Sequence, residues 1–103
     1  MIGSRRYCRV VGDSMTPTLK EGDLIIYKPF KYSEDILLEG LLVVLEHPLK
    51  TGVLIVKRIY KIDSGKLEIL GDNKSSSTDS RQFGQIRKEQ IQGIVEKIIP
   101  RRV

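Results

Sequence analysis

The fold is decided by one stretch of the chain, Val53-Leu54-Ile55-Val56-Lys57-Arg58-Ile59-Tyr60-Lys61-Ile62, which is followed by Asp63-Ser64-Gly65 and then by Lys66-Leu67-Glu68-Ile69-Leu70. Both apolar runs contain β-branched residues, and a short segment with a glycine separates them. Two such runs around a glycine turn are typical of an antiparallel β-hairpin. The sequence therefore predicts the longest strand of the protein over residues 53–62, paired with a shorter one over 66–70.

Further runs of the same character end at glycine, proline or polar turns. They lie at residues 7–11, 24–27, 41–46 and 91–99, whereas residues 71–84 form a polar, aperiodic segment that we predict to be a loop. Many short strands without a long amphipathic helix are typical of an all-β protein. We therefore expect a small folded sheet or partly open barrel of short, mostly antiparallel strands.

The composition describes one ordinary globular domain spanning residues 1–103. Hydrophobic residues make up 40% of the chain and charged residues 30%, which is unlike a disordered protein. One cysteine, Cys8, and one histidine, His47, leave no internal disulfide and too few ligands for a structural zinc site. We expect no metal or cofactor.

Charge and hydropathy indicate in which compartment the protein works and which classes of partner it binds. No run approaches the ~20 apolar residues that cross a bilayer, and no apolar segment follows the basic residues near the N-terminus, so we predict a cytoplasmic protein without a transmembrane anchor. The net charge is +5, but the basic residues are dispersed and only 6% of residues are aromatic. This pattern disfavours nucleic-acid binding as the main function, and weak contact with anionic lipid explains the charge equally well.

Ser14 is the first candidate for chemistry. It follows a β-type run and lies between Gly12 and Pro17, where the chain must bend sharply. Such a turn exposes the hydroxyl and leaves backbone N–H groups facing a developing oxyanion. The alternative is an ordinary serine in a turn.

Lys57 is the second candidate. With the two-residue period of a strand it shares one face with Val53, Ile55 and Ile59, so we expect apolar neighbours on both sides. Burial disfavours the charged form of a lysine, and a neutral amine can take the proton of a serine. The alternative is a lysine that protects an edge strand from aggregation, a role that the neighbouring Lys61 fits better.

His47 and Cys8 are the remaining reactive side chains. A Ser-His-Asp triad would have to use His47, which we expect to be a surface histidine because it stands between Glu46 and Pro48 at a strand end. We expect Cys8 to be a small core residue. Neither replaces the pair of Ser14 and Lys57.

Three segments, in this order, resemble the catalytic boxes of the type I signal peptidase family. They are Gly12-Asp13-Ser14-Met15-Thr16-Pro17-Thr18, then Lys57-Arg58, and then Gly71-Asp72-Asn73 with Ser77-Thr78-Asp79-Ser80-Arg81 and Phe83-Gly84. The resemblance implies a serine–lysine dyad with Ser14 as nucleophile and Lys57 as general base. It further implies that Ser77 orients the lysine amine, that Asp79 and Arg81 form a supporting salt bridge, that Met15 lines a pocket for small side chains, and that Gly12 offers only its backbone to the oxyanion.

Two departures from that family refine the expected function. The chain shows neither the N-terminal membrane anchors nor the inserted second domain of larger members, and in this it is similar to the small maturation proteases of nickel-type superoxide dismutase. LexA-like self-cleaving repressors share the dyad on a related fold but lack the Gly-Asp-Asn loop. We therefore expect an endopeptidase that removes an N-terminal leader from a precursor protein, nickel superoxide dismutase precursor being favoured. The alternatives are a signal peptidase acting on secretory precursors at the membrane surface and a non-catalytic interaction module.

Overall fold

The computed structural model describes residues 4–75 and 80–102, and in these the chain folds mainly into β-strands. The strands are β1 (Arg6–Arg9), β2 (Leu24–Pro29), β3 (Leu42–Glu46), β4 (Leu54–Asp63), β5 (Lys66–Leu70), β6 (Ile86–Arg87) and β7 (Ile91–Ile99). A single helical turn, α1 (Ser80–Phe83), precedes β6, and a 3-10 turn (Lys88–Gln90) follows it.

All seven strands of the described residues belong to one sheet in the order β1-β2-β7-β3-β4-β5-β6. Every neighbouring pair is antiparallel. β1 and β6 lie at opposite ends of the strand order, so the sheet is not closed into a barrel. The prediction of an all-β protein with mostly antiparallel strands is confirmed.

The predicted strands are all present, but β6 and α1 were not predicted. β6 has two residues and α1 has four, and elements of this length are too short to show a hydrophobic period. Within the described part of the chain, no helix has the length and apolar character required to cross a membrane.

The β4–β5 hairpin has the tight turn that the sequence predicted. Asp63 pairs with Lys66, which leaves Ser64 and Gly65 as the two residues of the loop. Their φ angles are 50° and 81°. Positive φ at both central positions is what a two-residue hairpin needs to match the twist of its strands, and glycine adopts it without steric cost.

Each face of the sheet carries its own apolar core. In β3, Val43 and Leu45 point into the first core and Val44 points into the second, as the alternation of a strand requires. The first core is completed by Leu37, Ile59, Leu67, Ile69, Ile86 and Ile91, and the second by Val10, Met15, Leu19, Ile25 and Tyr27.

Candidate active site

The turn that carries Ser14 is fixed by two buried side chains. The Thr16 N–H donates to the Asp13 carbonyl at 3.1 Å and the Leu19 N–H to the Met15 carbonyl at 2.9 Å, so the chain folds back on itself. Met15 and Leu19 are buried in the second core, and burying a side chain of this size contributes about 1.5–3 kcal/mol. Ser14 is thereby held half-buried beside the core.

Gly12 allows the chain to enter this turn. Its φ of +81° lies in the left-handed region that side-chain-bearing residues rarely adopt. Its N–H donates to Glu21 Oε1 at 3.0 Å. The backbone donor of Gly12 is therefore already engaged, whereas the Ser14 N–H donates to no other described residue.

Lys57 is buried in the middle of β4. Only 3% of its surface is exposed, and it pairs across the sheet with Val43 of β3. Ile55 and Ile59, which precede and follow it on the same face, pack in or against the first core. The expected apolar neighbours are confirmed for Ile55 and Ile59, whereas Val53 lies before β4 and is exposed. Lys61 is exposed as well.

Ser14 and the strand that carries Lys57 border the same cleft. It is lined by residues 8–11, Ser14, Met15 and Leu19 together with residues 54–56 of β4, whereas Lys57 itself does not line it. The cleft has a volume of about 120 Å³, well below the ~300 Å³ of the smallest typical ligand sites. It therefore suits small side chains better than a bulky ligand.

The Asp72 carboxylate connects this turn to β4. It accepts hydrogen bonds from Arg58 Nε at 2.9 Å and Arg58 Nη2 at 2.8 Å, and the Thr18 hydroxyl donates to it as well. The Asp72 N–H also reaches the Met15 sulfur at 3.3 Å. The Arg58 hydrogen bonds, and less strongly that of Thr18, hold the pKa of the Asp72 carboxyl below its usual range, although partial burial opposes them.

Asn73 binds the backbone of the Ser14 turn. Its N–H donates to the Ser14 carbonyl at 2.9 Å, and its side-chain amide donates to the Asp13 carbonyl and to Thr16 Oγ1, both at 3.0 Å. Hydrogen bonds from both the backbone and the side chain leave this turn little freedom to rotate. The structure thus brings together parts of all three segments that the sequence singled out.

The remainder of the third segment is described only in part. Ser77 and Asp79 lie outside the described residues, so their predicted roles remain predictions. Arg81 lies in α1 and is exposed. In the described part of this segment, Asp72 pairs with Arg58, and the sequence analysis gave neither Asp72 nor Asn73 a role of its own.

His47 differs from its expected place on the surface. Only 8% of it is exposed, and its ring meets Phe83 edge-on with 5.7 Å between the ring centroids. Its Nδ1 accepts the Leu49 N–H at 3.0 Å. Burial lowers the pKa of His47, and the charge of Lys50, together with that of Lys57 in its protonated form, lowers it further. The expectation was wrong because Phe83, distant in sequence, covers the ring.

Cys8 also differs slightly from its expected place. It packs against the second core as a partly buried residue and contributes to a wall of the cleft that contains Ser14. Partial burial raises the pKa of its thiol. The side chain is therefore a neutral, weakly polar part of the cleft wall.

Comparison with known families identifies the family to which the chain belongs. The family model described as Peptidase S24-like matches residues 3–96 of the chain. The chain belongs to the Peptidase S24-like family. The S24-like protein is therefore a serine peptidase-like protein. The three motifs predicted a protein of this type. Among curated proteins, none matches it.

The Asp72 carboxylate should stabilise the fold at neutral pH. We expect Asp72→Asn to lower the free energy of unfolding by roughly 1–3 kcal/mol at pH 7, because it weakens hydrogen bonds to a charged partner. Since folding lowers the pKa of Asp72, this contribution is present above the ordinary carboxyl pKa of ~3.9 and is lost as the pH falls through the folded value. Urea unfolding at several pH values should show the two proteins converging in acid. Asp63→Asn, in the exposed hairpin turn, is the control, and an equal loss in both variants would refute the prediction.

His47 should make the stability depend on pH in mildly acidic solution. Because folding lowers its pKa, the unfolded chain binds a proton first, near pH 6.5, and stability falls as the pH drops further. One proton accounts for at most about 1.4 kcal/mol per pH unit. We expect His47→Gln, which keeps an acceptor for Leu49, to unfold with a shallower pH dependence between about 6.5 and 5. The chain has one histidine, so an unchanged slope would contradict the prediction.

Proposed function

We propose that the protein is a serine endopeptidase in which Ser14 is the nucleophile and Lys57 is the general base. The observation that carries the proposal is the cleft that Ser14 lines together with Leu54–Val56, the residues of β4 that directly precede Lys57. The family supports a serine peptidase type of protein, and the burial of Lys57 supports a neutral amine.

The proposed reaction proceeds through an acyl-enzyme. Ser14 Oγ attacks the scissile carbonyl while the neutral Lys57 amine accepts the hydroxyl proton. The resulting ammonium returns that proton to the leaving amine as the C–N bond breaks. Lys57, neutral again, then takes a proton from the water that attacks the ester, and returns it to Ser14 Oγ as the acyl C–O bond breaks.

The oxyanion of the tetrahedral intermediate requires a donor at the turn. The Ser14 N–H serves this purpose in our proposal, because the Gly12 N–H is engaged by Glu21. Preorganised donors of this kind contribute several kcal/mol to catalysis, about 2.7–4 for a single oxyanion-hole donor. Asn73 contributes indirectly, since its hydrogen bond to the Ser14 carbonyl fixes the orientation of the turn.

Two strand edges without a partner strand among the described residues favour an extended peptide as the substrate. β1 lies at the end of the sheet, and β4 pairs with β5 only from Arg58 onward. The first residues of β4, Leu54–Lys57, thus have a strand partner on the β3 side alone within the described chain. Because both edges border the cleft, a peptide lying between them would gain backbone hydrogen bonds from each side.

The substrate we favour is a precursor protein that loses an N-terminal leader, specifically nickel superoxide dismutase precursor in the cytoplasm. Support comes from the motif resemblance and from the narrow cleft, whose wall includes Met15. Ser77 would orient the Lys57 amine, and a salt bridge between Asp79 and Arg81 would stabilise the loop that carries Ser77. Secretory precursors at a membrane surface are the second candidate class of substrate.

Substitutions in the dyad provide the first test. We expect Ser14→Ala and Lys57→Ala each to abolish peptide-bond cleavage with the fold retained by circular dichroism. Lys57→Arg should fail as well, because a guanidinium stays charged at working pH. Lys61→Arg, on the exposed part of the same strand, is the matched control and should retain activity. Full activity in any dyad variant would refute the assignment.

The same assay distinguishes the substrates. Purified protein is incubated with nickel superoxide dismutase precursor and with a secretory precursor, and mass spectrometry identifies the new terminus. Cleavage of the first at one bond is the expected result. Cleavage of the secretory precursor alone would favour the signal peptidase alternative, and cleavage of neither would favour a binding module.

A further inference from the structure

We propose that a second groove, here called the Tyr60 groove, binds an acidic segment of the peptide substrate beside the scissile bond. The proposal rests on the proposed function, because it extends the same substrate beyond the cleft of Ser14. The groove lies between the second half of β4 and the end of β5, and its volume is about 570 Å³. Its principal lining residues are Arg58, Tyr60, Leu70, Asp72, Lys74 and Arg81.

The charge of the groove favours an anionic ligand. Three of these lining residues are cations, whereas Asp72 contributes a carboxylate. Both oxygens of that carboxylate already accept hydrogen bonds from Arg58, so it presents little negative charge to a ligand. Lys74 is exposed and forms no ion pair with another described residue. A carboxylate entering the groove would therefore meet the charge of Lys74, which no described carboxylate neutralises.

The apolar surface of the groove favours a peptide over a small anion. Tyr60 is 63% exposed although it stands in the middle of the longest strand. An exposed aromatic ring beside Leu70 gives a flat surface on which the side-chain stems and backbone of a peptide can pack. Inorganic anions would use only the cations, whereas an acidic peptide segment would use both parts of the surface.

The groove adjoins the candidate active site through two of its own residues. Asp72 receives the Thr18 hydroxyl from the Ser14 turn, and Arg58 directly follows Lys57 in β4. A peptide advances about 3.3 Å per residue when extended. Val56 lines the cleft and Arg58 lines the groove, two residues farther along β4, so an extended substrate would pass from one to the other within a few residues.

Binding to the Ser14→Ala variant tests the proposal without depending on cleavage. The probe is a short fluorescein-labelled peptide of alternating glutamate and alanine, and its counterpart has glutamine in place of glutamate. Fluorescence anisotropy should show that the glutamate peptide binds several-fold more tightly. In the Ser14→Ala background, Lys74→Glu should weaken the glutamate peptide about five-fold, more than an exposed ion pair usually contributes, because it reverses the charge. Tyr60→Ala should weaken both peptides.

Lys97→Glu is the matched control. Lys97 is exposed on β7, and this substitution changes the net charge by the same amount as Lys74→Glu. Equal binding of the two peptides, or an equal loss in Lys97→Glu and Lys74→Glu, would overturn the proposal. A single-stranded DNA of the same charge that binds as tightly as the glutamate peptide would overturn it in favour of a general anion site. The two proposals can fail separately. If the glutamate peptide binds and the variants weaken it as expected, but Ser14 proves inert, the proposed peptidase activity is refuted and the proposed peptide binding in the groove is supported.

Discussion

The Asp72 carboxylate, held between Arg58 and the Thr18 hydroxyl, is the interaction on which the site depends. It is the point at which the three sequence segments meet, since Thr18 belongs to the Ser14 turn and Arg58 adjoins Lys57. The bidentate geometry fixes both distance and direction, as an arginine–carboxylate pair does better than a single hydrogen bond. Because the pair is only partly exposed to water, it is less screened than a surface ion pair.

Arg58 also marks a change in the sheet. β5 pairs with β4 from Arg58 onward, and the residues of β4 before it, which line the cleft, have no described strand as a partner on that side. Arg58 is therefore the first residue of β4 that pairs with β5. Through its contact with Asp72 it also positions the Ser14 turn next to the first half of β4. The hydrogen-bond network that supports the Ser14 turn thus begins at the residue where one strand pairing begins.

Much of the fold could be predicted from the sequence, because the strands and their turns are determined by local residue patterns. Strands β4 and β5 follow from their apolar runs and the Ser64-Gly65 turn, and the burial of Lys57 follows from Ile55 and Ile59 on its face. The Arg58–Asp72 pair was not readable, since it depends on the register of two strands and the path of the chain after β5. The burial of His47 depends in the same way on Phe83, which arrives from a distant part of the chain. The roles predicted for Ser77 and Asp79 rest on the motif alone, because both residues lie outside the described part of the chain.

The most direct measurement is the rate at which a serine-directed acylating probe modifies Ser14, followed by intact mass and peptide mapping. Wild type, Asp72→Asn and the Asp63→Asn control are compared at neutral pH, where circular dichroism shows each to be folded. If the Asp72 network holds Ser14 opposite Lys57, wild type and Asp63→Asn are acylated at Ser14 at similar rates. Asp72→Asn should react at least about ten-fold more slowly, since small misplacements of reacting groups have effects up to ~100-fold. A folded Asp72→Asn that is acylated at Ser14 at the wild-type rate would contradict this view of the site.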